Sequence, residues 1–255
     1  MTDHIDFPPN GGLPVATWSG ALEKGAKLAA QGGDRAQVMF CYEGLMRVEV
    51  GEDRWFIPDR FGIWIPSGTA PQVEVAHGIE FQTFLLHPRF SARLALPDQP
   101  TVLRATPLMR GIARRLRPSE SISTAERRRL GWVALDEIAR LDRPDLHLPG
   151  SGDPRLANVM SHLLAHPRDA NSLPQLAVRA GSSERTLSRL FQNETGMNWR
   201  SWRDRMRFVL ALEGLQMGRK STDLAAFLGY SSTSAFVAAF RRQSGMTPTE
   251  WRHQR

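Results

Sequence analysis

The 255 residues contain a single cysteine, Cys41, which excludes an intramolecular disulfide and any zinc site built from several cysteines. The role left for it is that of a buried, unreactive thiol. No stretch approaches the roughly 20 apolar residues that cross a bilayer. No basic segment followed by an apolar run opens the chain, so the expectation is a cytoplasmic protein with no membrane partner. No metal-binding triad, nucleophile–base pair or phosphate loop can be picked out. No catalytic residue, metal or cofactor is therefore expected.

The charge that is present is unevenly placed. From Asp153 onward there are 15 Arg and Lys against 8 Asp and Glu, whereas residues 1–152 hold 18 of each. The whole excess of +7 lies in the C-terminal part. That asymmetry suggests a polyanion-binding domain joined to a neutral one.

Residues 1–20, with Pro8, Pro9, Gly11, Gly12 and Pro14, read as a flexible arm. From about Val38 to Leu86 the pattern is short strands: Met46, Val48 and Val50 alternate with Arg47 and Glu49, the period of a half-buried strand. Turn formers such as Gly44, Gly51, Pro58-Asp59, Pro66-Ser67-Gly68 and Gly78 punctuate it, which suggests a small antiparallel barrel or sandwich over about 21–96. Within 97–143, the stretches 105–117 and 124–142 read as helices. Leu130, Val133, Ala134, Glu137, Ile138 and Leu141 form the apolar face of the second, and Arg127 to Arg129 a solvated one. Residues 144–153 read as a linker, and Asp153-Pro154 opens a helix with a cap acceptor and a proline at the first position.

An internal repeat follows. Ser183, Leu187, Phe191 and Gly196 recur 49 residues on as Ser232, Phe236, Phe240 and Gly245. In each copy serine caps a helix, the next two residues share one face, and glycine stops it. Ala177 and Gly181 match Ala225 and Gly229, a small residue four positions before a turn glycine. Each copy thus reads as helix, tight turn, helix, at about 173–194 and 221–244. A generic helical hairpin would do the same, but the outward residues are chemically biased. Arg185, Ser188 and Arg189 share the exposed face of the first copy, where arginine can pair bidentately with guanine. The matching Thr233, Ser234, Val237 and Ala238 are short, and Arg241 and Arg242 are placed for phosphates. Between the copies, residues 199–217 read as one helical rod. Arg200, Arg203 and Arg207 lie on its polar side, open to either phosphate contact or solvation.

These residues resemble the AraC/XylS family of bacterial transcription regulators across about 154–252. The closing stretch Gly229-Tyr-Ser-Ser-Thr-Ser-Ala-Phe, Ala239-Phe-Arg-Arg, Gly245-Met-Thr-Pro and Trp251-Arg is similar to the family signature. The resemblance implies a bipartite domain that binds double-stranded DNA, with base contacts at Arg185, Ser188, Arg189, Thr233, Ser234, Val237 and Ala238. It also implies an effector-sensing or oligomerising domain in front, RNA polymerase as a partner if the protein is an activator, and helices after the barrel that pair in a homodimer. Residues 22–88 more weakly resemble the cupin barrel, through the Gln37 to Gly44 spacing and Trp64-Ile-Pro-Ser-Gly68. Where metal-binding cupins carry histidines this chain has Gln31, Gly33 and Pro71, and such groups leave no metal site. His77 and His87 read as structural or surface residues.

The fold expected is α+β and multidomain. A cupin-like β-barrel with following helices precedes an all-α domain of two helix-turn-helix units joined by a long helix. The barrel's neutral charge and its aromatics (Phe40, Tyr42, Trp55, Trp64, Phe81, Phe84) suit either a small-molecule sensor or plain core packing. Gln37, Met39 and Trp64 are the candidates for lining an effector pocket. The rival functions are a metal-dependent cupin enzyme with a DNA-binding tail and a sequence-indifferent, nucleoid-type DNA binder.

Overall fold

Strands form where branched and aromatic residues run between turn glycines. The computed structural model describes residues 3–4, 11–29, 35–75, 78–92, 94–117 and 119–253. Gln31, Gly33, His77 and much of the expected arm lie outside these. The chain divides into two units, Met1–Val50 with Trp55–His147, and Gly51–Arg54 with Leu148–Arg255.

The first unit is built on two sheets. The strands are β1 (Asp3–His4), β2 (Val15–Leu22), β3 (Lys27–Ala29), β4 (Gln37–Glu43), β5 (Leu45–Val50), β6 (Asp53–Pro58), β7 (Phe61–Ile65), β8 (Gln72–Val75), β9 (Ile79–Leu86), β10 (Thr101–Arg104) and β11 (His147–Leu148), with Asp53, Arg54 and Leu148 counted in the second unit. One sheet runs β1-β3-β8-β5-β6-β11 and the other β10-β7-β4-β9-β2. The helices are α1 (Pro88–Ser91), α2 (Pro107–Arg115) and α3 (Thr124–Arg140).

Because strand side chains alternate, β4 sends Val38 and Phe40 to one face and Gln37, Met39 and Cys41 to the other. The first face joins Trp64, Phe84 and Leu103 to Met109 and Ile112 of α2 and to Ala134, Leu135 and Ile138 of α3 in one apolar core. Phe40 and Phe84 meet edge to face, their ring centres 5.6 Å apart. Gly62 allows β7 to lie against β4, since a Cβ there would overlap the Phe40 ring and the Met39 carbonyl.

Three expectations need correction. Residues 15–20 are not part of an arm: β2 pairs with β9 along all eight residues, and Val15 and Ala16 are buried. Its mixture of threonine, serine and glycine hides the strand period. Residues 144–153 are not a loose linker. Leu146 and Leu148 are buried, the Gly150 N–H donates to the Asp53 carboxylate at 2.9 Å, and the Pro149 carbonyl accepts from the Trp202 indole at 2.8 Å. On α3, Leu135 is buried and Val133 is exposed. The contact stripe is centred on Ala134, Ile138 and Leu141, and Val133 lies round the helix from it.

The second unit holds helices α4 (Pro154–Ala165), α5 (Leu173–Arg179), α6 (Glu184–Thr195), α7 (Trp199–Gln216), α8 (Ser221–Phe227), α9 (Thr233–Ser244) and α10 (Pro248–His253). The Asp153 carboxylate accepts from the Arg155 N–H, and Pro154 takes the first turn of α4. The 18 residues of α7 make a rod of roughly 27 Å. Trp202, Met206, Val209 and Leu212 are buried along it, and no described helix is long and apolar enough to cross a membrane.

Candidate nucleic-acid interface

The repeat maps onto two helix pairs with matching local chemistry. Ser183 Oγ accepts from the Thr186 N–H and Ser232 Oγ from the Ala235 N–H, which caps α6 and α9. Each helix ends on a left-handed glycine, Gly196 at φ +68° and Gly245 at φ +79°. Just inside that stop, Thr195 and Ser244 bond back to the carbonyls of Phe191 and Phe240. The turn before each helix also repeats: the Ser182 N–H bonds the Ala177 carbonyl, and the Tyr230 N–H bonds the Ala225 carbonyl, both at 2.9 Å.

Leu187, Phe191, Phe236 and Phe240 are buried and fix which face of α6 and α9 points outward. On α6 that leaves Arg185, Ser188 and Arg189 exposed on a common face, three side chains able to hydrogen-bond base edges or phosphates. On α9, Ser234 and Ala238 are exposed, while Thr233 and Val237 are half-buried. Arg241 and Arg242 are exposed at its end, with Arg242 within 3.5 Å of the Asp204 carboxylate.

The three arginines of α7 separate. Arg200 is exposed. Arg203 donates to the Asp169 carbonyl at 2.5 Å and lies over the Trp199 ring. Arg207 lies 5.2 Å over the Tyr230 ring. Two of the three therefore brace the unit, a role whose partners are distant in sequence and carry no local signal.

Gly229 sits at φ +74°, and a Cβ there would come within 3.1 Å of the Arg168 backbone and 3.2 Å of the Arg207 guanidinium. Gly229→Ala is expected to destabilise the second unit by about 1–2 kcal/mol from backbone strain, with crowding added. Gly181, at φ +60°, has open space around it, so Gly181→Ala should cost less. Thermal melts of the two variants check the ranking.

The loop before α5 is tied down by Asp169, which is reached by His162 Nε2 at 2.5 Å and by the Asn171 backbone and amide nitrogens. Burial works against the charged carboxylate, but the bonds from Asn171 and His162 outweigh it and hold its pKa below the usual carboxylate range. A depressed folded pKa stabilises above the unfolded value, about 3.9, and that contribution disappears as pH falls through the folded pKa. Melting temperature should therefore drop more steeply below pH 4 in the parent chain than in Asp169→Asn. Equal slopes would show that Asp169 contributes nothing to the acid transition.

In the first unit the proposed pocket residues do not share a face. Gln37 and Met39 point the same way as Ile63, Ile65 and Thr83, their register partners on β7 and β9. Trp64 pairs with Val38 on the opposite face, inside the core beneath the helices, and its indole donates to the Pro97 carbonyl at 2.8 Å. Sequence reasoning missed Thr83. Thr83 Oγ1 and Gln37 Oε1 are buried without a partner among the described residues.

A helix-turn-helix domain family matches residues 176–254. The HTH-type transcriptional regulator NimR of Escherichia coli K12 is 30% identical over 216 residues, 84% of this chain and 78% of that protein. The HTH-type transcriptional regulator RipA of Corynebacterium glutamicum is 34% identical over 114 residues, 44% of this chain and 34% of that protein. An AraC-type transcriptional regulator structure from Chromobacterium violaceum is 27% identical over 40% of this chain and 91% of its own, with a TM-score of 0.37. A superposition that loose leaves kinship resting on the sequences, and NimR is matched along most of both chains. The capped, repeated helix pairs thus have a family to go with them: the chain belongs to the AraC/XylS family of transcription regulators.

Proposed function

We propose that this regulator reads duplex DNA through two helix-turn-helix units, α5–α6 (about 173–194) and α8–α9 (about 221–244), joined by α7. The observation that carries the reading is the doubled local chemistry of α6 and α9. Each has a serine cap, a buried pair four residues apart and a left-handed glycine stop, and each leaves residues on the opposite face exposed. Arg185, Ser188 and Arg189 contact bases. Thr233, Ser234, Val237 and Ala238 face the duplex with short side chains, suited to close approach and to thymine methyls. Phosphate contacts fall to the exposed Arg200, Arg241 and Arg242, the last from a long, exposed pair with Asp204, since the half-buried Arg203 and Arg207 are engaged within the unit.

Residues 21–96, extended back to Val15 by β2, form the cupin-like sensor, and 97–143 form the helical part through which two copies associate. A small-molecule effector contacts the face carrying Gln37, Met39 and Thr83, whose buried unpartnered oxygens invite a hydrogen-bond donor. RNA polymerase is the further partner if the regulator activates.

Footprinting on the DNA upstream of its own gene tests the DNA reading. Protection of two major-groove segments about one turn, or about 34 Å, apart is expected. Diffuse protection, with equal affinity for all sequences at fixed salt, would overturn it in favour of a sequence-indifferent binder.

A further inference from the structure

Helix α2 carries three exposed arginines, Arg110, Arg114 and Arg115, and the half-buried Arg117 follows just past its end. Its Arg115 is paired, reaching Glu120 at 3.4 Å and Glu126 at 3.2 Å. Arg110 and Arg114, one turn apart on α2, and Arg117, just past its C-cap, have no carboxylate within ion-pair distance among the described residues. These three border a cleft of about 430 Å³ whose other walls are Tyr42, Pro107 and Gly111. That volume falls in the range of small-molecule sites.

The cleft has a built floor. Tyr42 comes from β4, and its hydroxyl donates to Gln82 Oε1 at 3.2 Å. Gln82 is fully buried, and its Nε2 has no partner among the described residues. Arg117 lies over the Tyr42 ring at 5.7 Å. Burial pushes the Tyr42 hydroxyl pKa up, while the Arg117 and Arg110 charges are close enough to pull against it. Gly111 adds a second observation. Glycine in a helix interior costs about 1 kcal/mol relative to alanine, yet a Cβ at Gly111 would touch nothing within 4 Å. Packing does not require this glycine; the space its missing side chain leaves is the cleft itself.

From this arrangement we infer that the cleft binds a small organic polyanion, a metabolite carrying two or more carboxylate or phosphate oxygens. Guanidinium groups match both geometrically and hold them by bidentate, charge-assisted bonds. The Tyr42 ring, with Arg117 over it, forms the floor beneath the bound anion. The charges ring a concavity too small to admit a duplex, which separates this site from the basic helices of the second unit. It also lies on the helix-covered face of β4, opposite Gln37 and Met39, so it stands independently of the effector reading above.

Calorimetric titration of the full chain with citrate and with phenyl phosphate tests the site. One molecule bound per chain is expected, with whichever probe binds tighter identifying carboxylate or phosphate as the preferred group. Arg110→Ala/Arg114→Ala should weaken binding at least tenfold, and Arg128→Ala, on the exposed side of α3, should leave it unchanged. Gly111→Glu, which raises helix propensity while placing a carboxylate in the cleft, should abolish binding without lowering the melting temperature. The proposal is overturned if neither probe binds saturably, or if the double arginine variant binds like the parent. It is also overturned if that variant loses affinity for DNA without any small anion present, since the cluster would then be a phosphate-backbone contact. The specificity ratio for DNA is read in the same variants, so failure of this site and failure of the DNA reading are distinguishable.

Discussion

Arg189→Ala will lower affinity for the preferred DNA site by about 1–3 kcal/mol, roughly fivefold to 150-fold, and will relax the preference at one base position. The side chain is exposed on α6 one turn from Arg185, on the face opposite the anchors Leu187 and Phe191. A guanidinium there can donate two bonds to a guanine edge, and its removal leaves those acceptors to be satisfied by water. Arg185→Ala/Arg189→Ala should lose roughly the sum, about 2–6 kcal/mol, if the two read separate bases. Both residues are solvent-exposed, so the melting temperature should not follow. Binding measured across a panel of single-base variants of the site at fixed salt makes the distinction. Uniform weakening for every sequence would reassign Arg189 to the phosphates.

The second helix pair is expected to discriminate bases less than the first. The exposed side of α9 offers Ser234 and Ala238, with Val237 half-buried. None of these has the reach or the paired donors of arginine. Arg241 and Arg242, near the helix end, add charge without base discrimination, and their replacement should weaken all sequences alike and flatten the salt dependence. The proposed contacts thus predict a division of labour: base substitutions under α6 should change affinity more than those under α9.

How far the sequence reading reached depends on how local each determinant is. Serine caps, left-handed glycines and the four-residue spacing of Leu187-Phe191 and Phe236-Phe240 are local, and every one of them stands in the structure where the repeat places it. Determinants that need a partner far along the chain were invisible. Trp64 looked like a neighbour of Gln37 and Met39, but register, not composition, decides which face it joins. Its pairing with Val38 sends it beneath the helices. Arg203 and Arg207 looked free because the Asp169 carbonyl and the Tyr230 ring that hold them lie 34 and 23 residues away. The segment 144–153 looked like a linker because prolines and glycines advertise turns, whereas the bonds that fix it come from Asp53 and Trp202.

Trp202 carries the largest expected effect on stability. It is fully buried on α7, its ring centre lies 5.8 Å from that of Phe191, and its indole N–H donates to the Pro149 carbonyl. Trp202→Ala removes the ring and leaves both a cavity beside Phe191 and an unpaired carbonyl. Truncations of this kind cost about 3–5 kcal/mol, and a buried orphaned acceptor about 1–3 more. A domain is stable by only about 5–15 kcal/mol, so the second unit should unfold well below the parent's temperature and lose DNA binding with it. Trp202→Phe separates the two contributions. Phenylalanine keeps most of the ring volume but cannot donate to Pro149, so its cost should be smaller than alanine's and fall mainly on residues 148–153. Urea titration ranks the stabilities, and limited proteolysis reads the segment directly, with faster cutting there expected in the phenylalanine variant. If that variant matched the parent in both measurements, the indole would be an ordinary core side chain, and the bond to Pro149 would contribute nothing to fixing the segment that leads into α4.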